Sequence, residues 1–482
     1  MFIGLDLGTS GIRALLVAED GAPLLAADAA LSAAHPHPGW SEQDPADWTA
    51  AAAAALRELA AKAPEAIARL KGIGLSGQMH GATLLDEAGA VLRPCLLWND
   101  TRSHAQAARL DALPAFRALS GNIVFPGFTA PKVLWVAEHE PGIFARTAKV
   151  LLPKDYLSYW LTGRMVSDMS DSAGTAWLDV GKRAWSPELL QHSGMRDDQM
   201  PELLEGTGLV GPLRGDLAAE LGLPDGVQVV AGGGDNAASA CGVGTLAEGD
   251  GFVSLGTSGV LLAAREGFAP RPESAVHTFC HAIPDTWYQM GVILAATDSL
   301  NWLARITGAP PAELTGELGP LAAPGALRFL PYLSGERTPH NDSAVRGAFT
   351  GLDIGADRAD LTRAVLEGVS FALRDNLEAL KSTGARLDRV LAIGGGTRSR
   401  YWVELLATVL GLPVDMPQQG EFGAALGAAR LAICGLTGAA PHHVMTRPPV
   451  AETIAPRADL TAAYDAAYGD FAAAYPALKA MP

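Results

Sequence analysis

The chain predicts an α/β fold in two related lobes that face a ligand cleft, and three observations carry that expectation. A length of 482 residues exceeds what one compact core organises, so two or three domains are expected. The phrase LGTSG occurs twice, at residues 7–11 and 255–259, each time between apolar runs. Short apolar runs alternate with helical patterns in both halves, as mixed sheets flanked by helices require.

The elements follow in order. FIGLDLGTSGIRALLVAEDGAPLLAADAAL reads as strand, glycine turn, strand, turn, strand, with TSG and EDG at the tight connections. Asp44 and Pro45 supply an N-cap and a first-turn proline for an alanine-rich helix ending near Lys62. GIGLSGQMHG is a short strand that breaks into glycines, KVLLP a further strand, and DYLSYWLTG a helix. The pattern then restarts. VQVVAGGGDNAASACGVG is strand, glycine turn and helix, and GDGFVSLGTSGVLLAAREG is again strand, turn, strand. A helix spans about 359–380, with apolar residues at helical spacing. VLAIGGGTRSRYWVELLATVLG is strand, triple glycine and helix, and EFGAALGAARLAICGL is a glycine-containing helix. The boundary is expected between Gly242 and Gly251, which gives lobes of 1–245 and 246–482.

Composition narrows the function classes. A formal charge of −16 argues against nucleic acid as a partner. No stretch of bilayer-spanning length lacks charge, so no membrane span is expected. Cys95, Cys241, Cys280 and Cys434 are too scattered for a disulfide framework and fit a reducing cytoplasm; no leader pattern precedes the first strand.

The candidate residues cluster at glycine-rich turns. In each LGTSG turn, Gly8, Thr9 and Ser10, or Gly256, Thr257 and Ser258, can converge backbone N–H groups on a phosphate. Asp6 precedes the first turn, where the second has Ser254. Alone, Asp6 reads as a turn cap; beside a twin turn it offers a hard oxygen to Mg²⁺. Asp235 follows three glycines at the mouth of a helix, either as a base for an attacking hydroxyl or as that helix's N-cap. Gln78, Met79 and His80 form a polar loop suited to hydroxyl recognition, or an ordinary strand end. Trp98, beside Asn99, Asp100 and Arg102, can stack on a sugar face or belong to the core. Gly394, Gly395 and Gly396 can admit a nucleotide against bare backbone or serve a plain turn. The chain lacks a G-x-x-x-x-G-K-[ST] loop and a Rossmann fingerprint. His277, Cys280 and His281 look like a metal cluster, but on a strand Cys280 and His281 face opposite ways, and no transition metal is expected.

Taken together, these phrases resemble the FGGY family of carbohydrate kinases. The likeness runs in order through WSEQDP, SGQMHGATLLD, LLWNDTR, GNIVFPGFTAPKVLWV, VLLPKDYL, SDMSDSAGTAWLDV, VAGGGDNAA, SLGTSG, FLPYLSGERTPHND, AVLEGV and IGGGTRS. It weakens after about Gly435. GQMHG, PGFTAPK and LSGERTPHND point to the branch acting on D-xylulose. The resemblance implies two ribonuclease-H-like (actin-like ATPase) lobes with ATP and Mg²⁺ in the cleft. It implies sugar on the N-terminal lobe and ATP mainly on the C-terminal lobe. It further implies Asp235 as catalytic base and Asp6 as the acid near the metal. Met79 and His80 are then sugar-binding, with Trp98 and Asn236 as further sugar contacts. The two turns and Gly394 to Gly396 bind phosphates and adenine.

Three other readings stand beside this one. A related kinase could act on L-xylulose, L-ribulose, gluconate or glycerol, although QMHG argues against glycerol. The chain could be a catalytically silent sugar sensor on the same fold, against which Asp6 and Asp235 count. It could be an actin-like ATPase working on protein partners, in which SDMSDSAGT and SGERTPHND have no place. Oligomeric state is left open, with a homodimer among the options.

Overall fold

The computed structural model describes residues 1–418 and 423–480. Two seven-stranded mixed sheets organise them, and both use one strand order. In the first sheet, Phe2–Leu7, Gly11–Val17 and Pro23–Ala30 form an antiparallel meander. Gly72–Gly77 pairs parallel to Phe2–Leu7, Gln228–Val230 pairs parallel to Gly72–Gly77, and Leu209–Pro212 closes the edge antiparallel. In the second sheet, Gly251–Leu255, Gly259–Arg265 and Trp287–Ile293 form the meander. Val390–Ile393 and Val414–Pro417 continue it in parallel, and Val450–Ile454 closes it antiparallel. His277–Cys280 adds a strand beyond the meander. The likeness between the halves therefore extends from one phrase to a whole topology.

The repeated phrase is not folded identically in its two copies. In the first, Leu7 pairs with Ile12, so four residues make the connection and the Gly8 N–H donates to the Gly11 carbonyl. In the second, Leu255 pairs with Gly259, so three residues make it. The same five residues close with different loop lengths, so the flanking strands rather than the phrase decide the register.

Helices form where capping and apolar spacing predict them. Asp44 caps Pro45–Lys62 through an acceptance from the Ala46 N–H at 2.9 Å. The long expected helix is Arg358–Ser382, capped by Asp357. The glycine-containing helix is Ala424–Thr437; Glu421 and Phe422, with which it was expected to begin, lie outside the described residues. Although late in the chain, this helix packs on the first sheet and on the helix Asp235–Val243. Three glycines make that approach possible. A Cβ on Gly4 would lie 1.7 Å from the Ala425 carbonyl oxygen, one on Gly74 1.8 Å from that of Ala428, and one on Gly427 1.7 Å from that of Ala238. Among the described residues, no helix is long and apolar enough to cross a membrane.

Candidate active site

Parallel register brings the first acid to the second. Asp6 lies beside Ser76, and Ser76 lies beside Gly233, across three neighbouring strands. Two residues further, Asp235 opens the helix Asp235–Val243. It does not cap that helix, because Gly234 holds the N-cap position. Its Oδ1 accepts from the Asn236 N–H at 2.7 Å and from the Asn236 side-chain amide at 2.8 Å. Oδ2 accepts no hydrogen bond among the described residues. Asn236, expected as a sugar contact, is shown orienting this carboxylate.

The two acids share one electrostatic problem. Burial, then the charge of Asp6, pushes Asp235 up to about 7. Burial also pushes Asp6 up to about 6, only partly offset by Ser76 and Arg13. Asp6 forms no ion pair among the described residues, and Arg13 is engaged by Asp28 at 2.8 Å. Two crowded carboxylates presenting hard oxygens fit a divalent cation such as Mg²⁺.

Both LGTSG turns offer backbone donors. The N–H groups of Thr9, Ser10, Gly256, Thr257 and Ser258 meet no acceptor among the described residues, and Ser10, Thr257 and Ser258 are exposed. The Thr9 hydroxyl is already committed: it donates to Gln78 Oε1 at 2.9 Å and accepts from Trp98 Nε1 at 3.0 Å. Gln78 in turn donates to Gln43, whose amide donates to the Thr9 carbonyl. Gln78 therefore braces the turn. Trp98, 46% exposed, keeps an indole surface free for a ligand.

In the second sheet the turn carbonyls are used instead. Gly256 O accepts from Thr297, and Thr257 O from the Ala296 N–H at 2.8 Å, docking the helix Thr297–Thr307. The triple glycine abuts the same turn: a Cβ on Gly394 would lie 2.7 Å from the Leu255 carbonyl oxygen, and one on Gly396 2.8 Å from the Leu255 Cβ. Beside Gly395 and Gly396 opens a cavity of about 700 Å³, lined by Asn301, Pro311, Thr315, Ser399 and Tyr401 among others. It is roomy enough for a nucleoside. Sequence reasoning found its glycine edge but missed the wall from residues 301–315, which carries no distinctive phrase.

The QMH loop lies against the Asp235 peptide. Met79 is buried, and a Cβ on Gly234 would meet its side chain at 3.0–3.2 Å. His80 has φ 71°, a left-handed backbone that is uncommon for a side-chain-bearing residue. Its carbonyl is held by Thr129 Oγ1 at 3.0 Å and Lys132 Nζ at 3.1 Å. Its Nδ1 meets the Gly174 carbonyl at 2.7 Å, so Nδ1 carries the proton and Nε2 is an acceptor. Burial, then the Lys132 ammonium, pushes its pKa down to about 3 and keeps the ring neutral. The ring stacks on Phe128 with centroids 4.7 Å apart.

Behind Asp235 lies a buried support that sequence reasoning left without a role. The Gly234 N–H donates to Ser170 Oγ at 3.1 Å, and that hydroxyl donates to Asp168 Oδ2 at 2.5 Å. Asp155, Asp168 and Asp171 gather their oxygens closely enough for a metal. Lys154 already fills the position, 2.6 Å from Asp155, 3.0 Å from Asp168 and 4.0 Å from Asp171. Burial opposes this ammonium, but the three carboxylates raise its pKa. His277, Cys280 and His281 are buried, with Cys280 on strand His277–Cys280 and His281 just beyond it. His281 Nε2 meets the Thr245 carbonyl at 3.1 Å. They are not among the metal-competent groups of the described residues.

Residues 1–242 match the N-terminal domain, and residues 251–436 the C-terminal domain, of the FGGY family of carbohydrate kinases. A xylulose kinase from Escherichia coli strain K12 is 48% identical over 435 residues, covering 90% of this chain and 89% of its own. A crystal structure from Brucella ovis, described as a "xyloylose kinase", superposes with a TM-score of 0.98 at 59% identity, covering 100% of this chain and 99% of its own. The xylulose kinase of Rhodospirillum rubrum superposes with a TM-score of 0.91 at 32% identity, covering 99% and 98%.

Proposed function

The chain belongs to the FGGY family of carbohydrate kinases, and from that premise we propose that it transfers the γ-phosphoryl group of ATP to the C5 hydroxyl of D-xylulose. We assign the sugar to residues 1–245 and the nucleotide mainly to 246–482. The observation that carries this reading is the placement of Asp235, with one oxygen tied by Asn236 and the other accepting no hydrogen bond among the described residues, on the Met79–His80 loop. Similarity to xylulose kinases supports the choice of sugar.

Asp235 accepts the hydroxyl proton as the sugar oxygen attacks the γ-phosphorus; the new O–P bond forms as the bridging O–P bond to ADP breaks. His80 Nε2 accepts a sugar hydroxyl, and Met79 and the Trp98 face cover C–H surface. The free N–H groups of both LGTSG turns receive phosphate oxygens, and the nucleoside occupies the cavity beside Gly395 and Gly396. Asp6 would hold Mg²⁺, directly or through water, and the ion would supply charge neutralisation at the transferring group.

Asp235→Asn tests the assignment. It is expected to lower D-xylulose-dependent ADP release about 10²–10⁴-fold, while calorimetric titration still shows D-xylulose bound. Turnover near that of wild type would remove Asp235 from the role of base.

A further inference from the structure

Taking D-xylulose as the acceptor, as proposed above, fixes the chemistry at the far end of the sugar. A five-carbon 2-ketose closes its ring through O5. Transfer to a free C5 hydroxyl therefore requires the open chain, with an uncovered C2 carbonyl. A ketone oxygen only accepts hydrogen bonds, so a water-poor site that recognises it must present a donor.

One strong donor, the Arg337 guanidinium, reaches the aromatic cluster that His80 joins and forms no ion pair among the described residues. Arg337 reaches this region from the second half of the chain. Its guanidinium sits 4.3 Å over the Phe125 ring. Phe125 packs edge-on against Phe128, on which His80 stacks. Arg337 NH1 makes a long 3.5 Å contact with His277 Nε2, and its other side-chain N–H groups meet no acceptor among the described residues. Arg337 also forms no ion pair among those residues. The neighbouring Glu336 carboxyl is instead used to hold backbone, accepting from the Arg337 N–H at 2.7 Å and the Leu294 N–H at 3.1 Å. Thr338 pins the other side of Arg337 to the strand Trp287–Ile293. The backbone of Arg337 is thus fixed on both sides, while its guanidinium forms no ion pair among the described residues. Burial first, and then the Arg337 charge, lowers the pKa of His277; burial, with Lys132 and a smaller contribution from Arg337, lowers that of His80. His277 Nδ1 is buried and meets no hydrogen-bond partner among the described residues. Ring contacts link Arg337 to His80 through Phe125 and Phe128, and Met79, next to His80, lies against the Gly234 peptide that precedes Asp235.

We propose that Arg337 is a specificity-determining residue that donates to the C2 carbonyl oxygen of the open-chain ketose and thereby separates a ketose from its polyol. A guanidinium suits the task because it donates without accepting and holds a fixed fork. In xylitol the carbonyl is replaced by a hydroxyl, which can turn to other partners, so the polyol depends less on Arg337.

The test is calorimetric titration of D-xylulose and of xylitol, without ATP, into wild type, Arg337→Met and Arg337→Lys, with thermal melts alongside. Arg337→Met is expected to weaken D-xylulose about 10–100-fold, the range of one lost charge-assisted hydrogen bond. The preference for D-xylulose over xylitol is expected to narrow at least about fivefold. Arg337→Lys keeps the charge without the fork and is expected to fall between; it carries the comparison should Arg337→Met fail to fold. Equal losses for both sugars, or unchanged D-xylulose binding in a folded variant, would overturn the role of Arg337 alone. Failure of wild type to bind D-xylulose would overturn the ketose reading itself, and the proposal with it.

Discussion

Asp235 and Asp6 are expected to set the pH behaviour of the proposed site. With Asp235 pushed up to about 7 by burial and by Asp6, its carboxylate form is lost as pH falls below that value. The sugar-dependent kcat/KM is therefore expected to fall about tenfold per unit below roughly pH 6–7 and to level off above. His80 does not contribute to this limb, because burial holds it near 3. Asp6→Asn removes the neighbouring charge, so the acid limb of its residual activity is expected at lower pH; an unmoved limb would show that Asp6 does not set it. Linkage gives an independent check. A carboxyl raised in the folded state favours folding below its unfolded pKa and loses that contribution as pH rises through about 7. At pH 8, Asp235→Asn is thus expected to melt above wild type. Such a gain accompanying lost turnover is what a group kept for chemistry rather than for stability produces.

At the scale of elements, the helices Asp235–Val243 and Ala424–Thr437 cross with backbone nearly touching at Gly427. Gly427→Ala would drive a Cβ into the Ala238 carbonyl, on the helix that begins with Asp235. The expected cost is about 1–3 kcal/mol, a fall of several degrees in Tm. Activity is expected to fall further than stability explains, because Asp235, the proposed base, moves with its helix. Gly142→Ala, where nothing lies within 4 Å of the added carbon, is the control expected to change neither. These glycines show what the sequence hides. Gly4, Gly74 and Gly427 read as ordinary strand or helix glycines, since the partner backbone is remote in the sequence. The strands, caps and major helices were legible because apolar spacing and capping residues are local signals. The different registers of the two LGTSG hairpins were not, because the phrase itself is the same.

Across the whole molecule, one strand order is used twice, and the proposed site draws residues from both halves. Asp6, Met79, His80 and Asp235 were legible as candidates because each stands at a glycine-broken strand end. Lys132 was not, because its part is to hold the His80 carbonyl, a contact that only tertiary packing creates. The same holds for Ser170, which holds the Gly234 peptide from behind, and for Arg337, which crosses from the second half. The halves differ as the reaction requires: the first places an acid at its turn, and the second has Ser254 at that position. Two acids facing one triphosphate would add repulsion. As proposed, the molecule couples ATP to one hydroxyl of one sugar. The most direct measurement is NMR of the product formed from ATP and D-xylulose, beside ADP release. The expected result is one ADP per sugar, with the phosphate ester on C5. ADP release that does not depend on D-xylulose, or a phosphate on another carbon, would contradict it.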